Sequence, residues 1–338
     1  MQNYNTSANE NMTDEGGNES LPFQYPPKFE KPLRSGNVWI KSLVSLAFYL
    51  ILGYYIFPSY QILILITIVV IIHELGHFLV MKFYRYKDLG IFFIPLLGAY
   101  VSGSKREISQ KESSVILLAG PIPGIIIGTI VYVLFRADPS MSFMGMSYWT
   151  IAVAFMLLNL INLLPVYPLD GGQLLNRVFL DEESWVSRIF VWLSIAFLIW
   201  FALFGSAKPF YPLLLFPVMM ILRMFGDSKT KHLEKKVGES DIDMDKSYDA
   251  LSDKEYWEVR NIIIAEHPAF RDVSTAPPYE YSEKEEKILE TIECLMHRHL
   301  IQDMGLAGKV FLVFVWIAAF ASPWLLGVYQ AIGARFGY

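Results

Sequence analysis

The chain has 338 residues, of which 54% are hydrophobic and only 18% charged; its formal net charge is −5 and its mean hydropathy +0.36. That balance argues against nucleic acid as a partner, and the single cysteine, Cys294, excludes an internal disulfide or a cysteine-based zinc finger. Residues 38–225 carry long uncharged stretches while 226–306 is rich in charge, the pattern of a multi-pass membrane protein with a water-facing appendage.

Residues 1–37, rich in Asn, Glu, Ser, Gly and Pro, read as a disordered cytosolic tail. Seven apolar spans are expected at about 38–57, 60–84, 113–135, 149–168, 185–205, 209–225 and 309–334. The segments 1–41, 82–111 and 169–188 hold 4, 6 and 2 Lys/Arg, whereas the opposite-side loops hold only Arg136, Lys208 and Arg335. The positive-inside rule then puts the N-terminus and 226–306 in the cytosol and the C-terminus outside. With no sign of a cleaved signal, a bacterial cell membrane is the expected location, a eukaryotic organelle the alternative.

Within the second span stands His73-Glu74-Leu75-Gly76-His77. Two histidines four apart share a helix face and can hold one metal ion, with a carboxylate beside them to handle a metal-bound water. With six His in the chain, chance would produce H-E-x-x-H on the order of 0.01 times. Ionisable groups in hydrocarbon default to function. By helical rise, His77 and His73 lie about 10 and 16 Å from the cytosolic end of the span.

After that span, residues 89–103 combine aromatic and β-branched residues with Gly and Pro. They read as a β-hairpin, either re-entrant or interfacial, or an open strand edge beside the metal. Gly120-Pro121-Ile122-Pro123-Gly124 opens the third span, where small residues favour close helix packing and the prolines should loosen the first turns.

The fourth span carries Asn159, Asn162, Pro165, Pro168 and Leu169-Asp170-Gly171-Gly172. Its prolines should break the helix and deliver Asp170 to the cytosolic side, the side of the histidines. Asp170 is then a third ligand or a plain helix cap. Asn159 and Asn162 could bond neighbouring helices or donate to a reacting carbonyl, and Asn162 is favoured as nearer the break. In 226–306, Ser252-x-x-Glu255 and Ser282-x-x-Glu285 are capping boxes preceding amphipathic patterns, so a small helical domain is expected. His297 and His299 are two apart and read as solvated surface.

His73, His77 and Asp170 with water in fourth place make an open catalytic zinc site, one Zn²⁺ per chain. Zinc with ionised Asp170 and Glu74 is formally neutral. Glu74 could take a proton from the zinc-bound water, and Asn162 could support the oxyanion of an attacked peptide carbonyl.

These residues together resemble the site-2 protease family of intramembrane zinc metalloproteases. The likeness covers about residues 60–175, through His73-Glu-Leu-Gly-His77, the hairpin, Gly120-Pro121 and Asn162…Leu169-Asp170-Gly171-Gly172. It implies His73, His77 and Asp170 as ligands, Glu74 as the catalytic residue, and a hairpin that pairs with substrate as an added strand. It also implies single-span membrane substrates, often membrane-tethered transcription factors or their inhibitors. Gly124 departs from the Asn that many members carry there. No insertion is large enough for a PDZ domain, and 226–306 is too short for paired CBS modules. An inactive relative that holds helices without cutting them, or a transporter, are the competing readings. Oligomeric state is not readable.

Overall fold

The computed structural model describes residues 25–30, 37–57, 59–95, 98–105, 107–180, 184–205, 208–240, 242–296 and 300–336. Residues 1–24 and 31–36 of the expected tail, and His297 and His299, lie outside the described residues.

Helix α1 (Val38–Ile56) starts where the Asn37 side chain accepts from Trp39 N–H, and α2 (Tyr60–Phe83) where Ser59 accepts from Ile62 N–H. Strands β1 (Lys87–Ile94) and β2 (Gly98–Ser104) form the expected hairpin, antiparallel with Phe92 opposite Tyr100 and Phe93 opposite Ala99. Gly98, with φ of +100°, supplies the backbone conformation that the turn requires. Phe93 is the anchor. It packs with Tyr49 of α1 and Leu63 of α2, and its N–H donates to Ser45 Oγ at 3.1 Å.

A short strand β3 (Ile108–Ser109) leads into α3 (Gln110–Ala119), which α4 (Pro121–Ala137) continues past Gly120. Pro121 occupies the first helical position, where a missing N–H costs little, so the expected loosening is confined to one joint. After a small hairpin of β4 (Ser142–Phe143) and β5 (Met146–Ser147), α5 (Tyr148–Asn162) returns against α4. Small residues permit that contact: a Cβ on Gly128 would lie 2.8 Å from Met156 Cγ.

Helix α5 stops at Asn162, and the chain crosses residues 163–169 irregularly before α6 (Asp170–Leu174) and a π turn, Leu175–Leu180. Peptide groups freed in hydrocarbon need partners within the protein. Trp316 Nε1 donates to the Leu163 carbonyl at 2.7 Å, Tyr167 N–H donates to Ser194 Oγ at 3.1 Å, and Gln173 Nε2 donates to the Pro168 carbonyl at 2.9 Å. Gly171 lets α6 fold back on the break, because a Cβ there would lie 2.0 Å from the Leu163 carbonyl oxygen.

Helix α7 (Trp185–Phe204) is followed, after a 3₁₀ turn, by α8 (Leu215–Gly238). Helix α8 runs unbroken through the domain boundary expected at 225/226, and its Leu233 and Val237 enter the core of the appended domain. Helices α9 (Asp253–Glu266) and α10 (Glu285–Leu295) complete that domain. The Ser252–Glu255 capping box forms as expected. At Ser282 half of the expected box forms: its N–H donates to Glu285 Oε2 at 2.9 Å, while the helix begins only after Lys284. The same carboxylate makes a fully buried ion pair with Arg260 at 2.7 Å and accepts from the Tyr256 hydroxyl. Burial pushes the Glu285 carboxyl up, but the bonds from Arg260 and Tyr256 outweigh it and hold the group below its ordinary range. Part of the expected tail is also ordered here: Tyr25 and Phe29 pack against this core.

Strand β6 (Leu300–Ile301) pairs in parallel with β3, and Asp303 accepts from the Lys111 N–H at the start of α3. Helices α11 (Leu306–Leu325) and α12 (Val328–Phe336) replace the single last span expected over 309–334, the chain turning at Gly327 with φ of +75°. Among the described residues, five helical elements are long and apolar enough to cross a membrane: 38–56, 60–83, 110–137, 185–204 and 306–325; 148–162 and 211–226 are shorter. Large apolar side chains such as Phe48, Trp192 and Phe314 stand exposed on them, a surface suited to lipid. The protein is a largely α-helical, multi-span membrane protein with small β elements. Length alone supports five crossings, not the seven expected.

Candidate metal centre

His73 and His77 face the same side of α2, and both are buried, as is Glu74 between them. Asp170 is the first residue of α6, not its N-cap, which is Leu169. The break at 163–169 therefore brings the carboxylate back to α2. His73 Nε2 lies 3.0 Å and His77 Nε2 3.4 Å from Asp170 Oδ2, and the two Nε2 atoms are 3.1 Å apart.

The outer bonds of the two rings decide where their protons are. His77 Nδ1 is 2.7 Å from the Ile116 carbonyl, which can only accept, so Nδ1 carries the hydrogen. His73 Nδ1 is 2.8 Å from Asn159 Oδ1, and that amide is oriented by Asn159 Nδ2 donating to the Phe155 carbonyl at 2.7 Å. Both Nε2 atoms thus present lone pairs to the carboxylate oxygen, which has no hydrogen-bond partner of its own. Three acceptors facing one another in an apolar interior repel unless a cation sits among them. A proton could bridge two of them; a metal ion meets all three.

The spacing fits zinc. Ligands held tetrahedrally at about 2.0–2.2 Å stand roughly 3.3 Å apart, and the three separations bracket that figure. The cluster His73, His77 and Asp170 is positioned to coordinate a single divalent metal, one Zn²⁺ per chain. Its open side is shaped by Gly120, where a Cβ would lie 2.3 Å from His77 Nε2 and 2.9 Å from His73 Nε2. Gly76 permits the helix crossing that puts it there, since a Cβ on Gly76 would lie 1.9 Å from the Ala119 carbonyl oxygen.

Residues 61–140 match Peptidase family M50. Over that stretch the chain resembles the M50, or site-2 protease, family, and its His73, His77 and Asp170 cluster is consistent with that family's zinc motif. The match covers His73–His77, and the geometry adds Asp170 beyond it, completing a zinc-metalloprotease-type centre. Stage IV sporulation protein FB of Bacillus subtilis is 29% identical over 121 residues, 35% of this chain and 40% of that protein. Zinc metalloprotease MJ0392 of Methanocaldococcus jannaschii is 28% identical over 124 residues, 36% of this chain and 35% of that one. The matched part thus spans less than half the length of either relative. A solved site-2 protease from Methanocaldococcus jannaschii aligns over 54% of this chain and 84% of its own, at 24% identity and a TM-score of 0.40.

Of the two asparagines considered from sequence, Asn159 is the one bonded to a ligand. Asn162, favoured there, ends α5 half-buried, three residues further along. Gly124 makes room for the Asn159 amide, whose nitrogen would be 2.1 Å from a Cβ at that position. The Ile116 carbonyl has no sequence signal, since any residue supplies a main-chain acceptor, and Gly120, read from sequence as a helix-packing residue, in fact leaves room beside the ring nitrogens. Asn159→Ala removes the bond that sets the His73 tautomer, so zinc affinity is expected to fall roughly 10–100-fold. Competition titration against a metallochromic chelator measures this, and Asn162→Ala serves as the comparison with little change in affinity.

Proposed function

We propose that this protein is an intramembrane zinc endopeptidase that hydrolyses peptide bonds in or near transmembrane segments of single-span membrane proteins. The observation that carries this reading is the trio of lone pairs from His73, His77 and Asp170 converging within 3.4 Å inside apolar helices. Bound there, zinc supplies Lewis acidity and a water whose pKa is near 7. Glu74, next to His73 and buried, accepts the proton of the attacking water and returns it to the departing amide nitrogen. Asn162 donates to the oxygen that becomes negative, from the point where α5 ends and the chain opens.

A helical substrate hides its carbonyls, so it must unwind, and each freed peptide group then needs a partner. The hairpin of β1 and β2 is a two-stranded sheet, and among the described residues no strand pairs with the far side of β2. Substrate pairing along β2 compensates the unwound backbone. Adjacent residues in a strand point their N–H groups to opposite sides, so of Tyr100→Pro and Val101→Pro only one removes a donor from the free edge. That variant is expected to slow cleavage roughly tenfold with zinc content unchanged, the effect of about one lost hydrogen bond. Cleavage equal to wild type in both would remove the hairpin from substrate binding.

In this reading the shorter helices 148–162 and 211–226 complete seven crossings, with the N-terminus and the 226–306 region in the cytosol and the C-terminus outside. A bacterial cell membrane is the setting, and membrane-tethered transcription factors or their inhibitors are the substrate class that the family likeness implies. The test is cleavage of a single-span reporter by the purified protein in bilayers. Activity should vanish on chelation and return with stoichiometric zinc. A metal-loaded protein that binds single-span helices and never cuts them would instead favour an inactive relative.

A further inference from the structure

Residues 25–30, Tyr-Pro-Pro-Lys-Phe-Glu, run without helix or strand over the domain built on α8, α9 and α10, and their contacts are those of a ligand in a site. The Lys28 ammonium donates to three carbonyls, Tyr248 at 2.9 Å, Asp249 at 2.9 Å and Leu251 at 2.7 Å, using all its protons. It also stands 5.1 Å from the centre of the Tyr248 ring.

The main chain is read as well. Trp257 Nε1 donates to the Pro26 carbonyl at 2.9 Å, the Tyr281 hydroxyl to the Pro27 carbonyl, and the Tyr248 hydroxyl to the Phe29 carbonyl at 2.6 Å. Lys28 N–H donates to Asp253 Oδ1 at 2.8 Å. Tyr25 packs edge-on against Tyr279 and Phe29 against Tyr281. The side chains that bond the segment's carbonyls, Tyr248, Trp257 and Tyr281, are all aromatic with a polar tip. Such side chains suit a proline-containing strand, because two successive prolines bring carbonyls without N–H groups and are already extended.

We propose that this face is a peptide-recognition site for an extended aromatic-Pro-Pro-Lys-aromatic segment, occupied in cis by residues 25–30. The contacts come from side chains and from carbonyls at the end of a 3₁₀ turn, not from a shared sheet or helix, so the segment is separable from the domain that reads it. Docking ties the domain to the start of α1, since only six residues lie between Glu30 and Asn37 and extended chain covers at most about 25 Å from one to the other. The same motif supplied in trans displaces the tie.

The probe is a fluorescent peptide with the sequence of residues 22–31, titrated by anisotropy against the full chain and against a chain lacking residues 1–30. The truncated protein is expected to bind it. The full chain should bind at least tenfold more weakly, because the tethered copy competes at an effective concentration in the millimolar range. A peptide with Lys28→Ala should lose binding to both. Full-length Lys28→Ala keeps every other residue and should expose the site, binding the native peptide nearly as well as the truncated chain does. Failure of both opened proteins to bind the peptide, equal binding by truncated and full chains, or a truncated chain whose appended domain no longer folds would each overturn the proposal. The last result would make the segment an integral part of the fold.

Discussion

Glu74→Gln is expected to retain its zinc and to lose cleavage by roughly 10²–10⁴-fold, the usual contribution of a positioned general base. The two side chains are nearly isosteric, and the three metal-facing atoms belong to His73, His77 and Asp170, so the metal set is untouched. On the proposed mechanism, what disappears is the group that holds a proton between its removal from water and its delivery to the leaving nitrogen. Zinc per chain by elemental analysis and cleavage of a single-span reporter, measured on one preparation, give the two readouts. A variant that loses zinc would move Glu74 into the ligand set, and one that cuts at the native rate would take it out of the mechanism.

Gly120→Ala should abolish metal binding and cleavage together while leaving the fold intact. The backbone at Gly120 is right-handed helical, φ −70° and ψ −64°, so alanine is conformationally acceptable and by propensity about 0.8–1.0 kcal/mol more favourable in a helix. Its methyl group, however, would project to 2.3 Å from His77 Nε2, into the space between the lone pairs. Zinc content is expected to drop at least tenfold with thermal unfolding little changed. Gly226→Ala is the control. That glycine lies on α8 with open space where a Cβ would be, and neither zinc nor cleavage should respond. Full zinc occupancy in Gly120→Ala would show that α3 and α4 stand farther from α2 than the close packing at Gly76 and Gly120 implies.

The centre was legible to the extent that its chemistry is local. His73 and His77 are one helical turn apart, and a helix in an apolar run puts both rings on one face whatever surrounds it. Pro165 and Pro168 announce a break wherever they occur, and glycines after an aspartate announce close packing. The hairpin was legible for the same reason, through alternating aromatic and β-branched residues bounded by glycines. Lengths were less so. The fourth span ends at Asn162, not 168, and the last one splits at Gly327, because each boundary depends on which neighbours take up the freed peptide groups.

The choice between Asn159 and Asn162 shows the limit most sharply. Three positions apart on α5, they are equally polar, and nearness to the break favours the wrong one: only the rotation of α5 against α2 and α4 sets Asn159 against His73. That rotation is fixed by Gly124 and Gly128, small residues on another helix. Trp316 supporting the Leu163 carbonyl, and Tyr25–Glu30 seated more than two hundred residues away on the appended domain, belong to the same class.

The sequence by itself determined that this is a membrane protein with an H-E-x-x-H pair one turn apart in its second span and a broken fourth span ending in an aspartate. Those properties rest on periodicity, proline and charge, all of which act within a few residues. The tertiary structure alone decided that Asp170 Oδ2 meets both imidazoles within 3.4 Å, that Asn159 and the Ile116 carbonyl orient the rings, and that Gly120 leaves the gap between them. Such features depend on packing between helices distant in the chain, where a single methyl group or a few degrees of rotation separates a metal site from a clash.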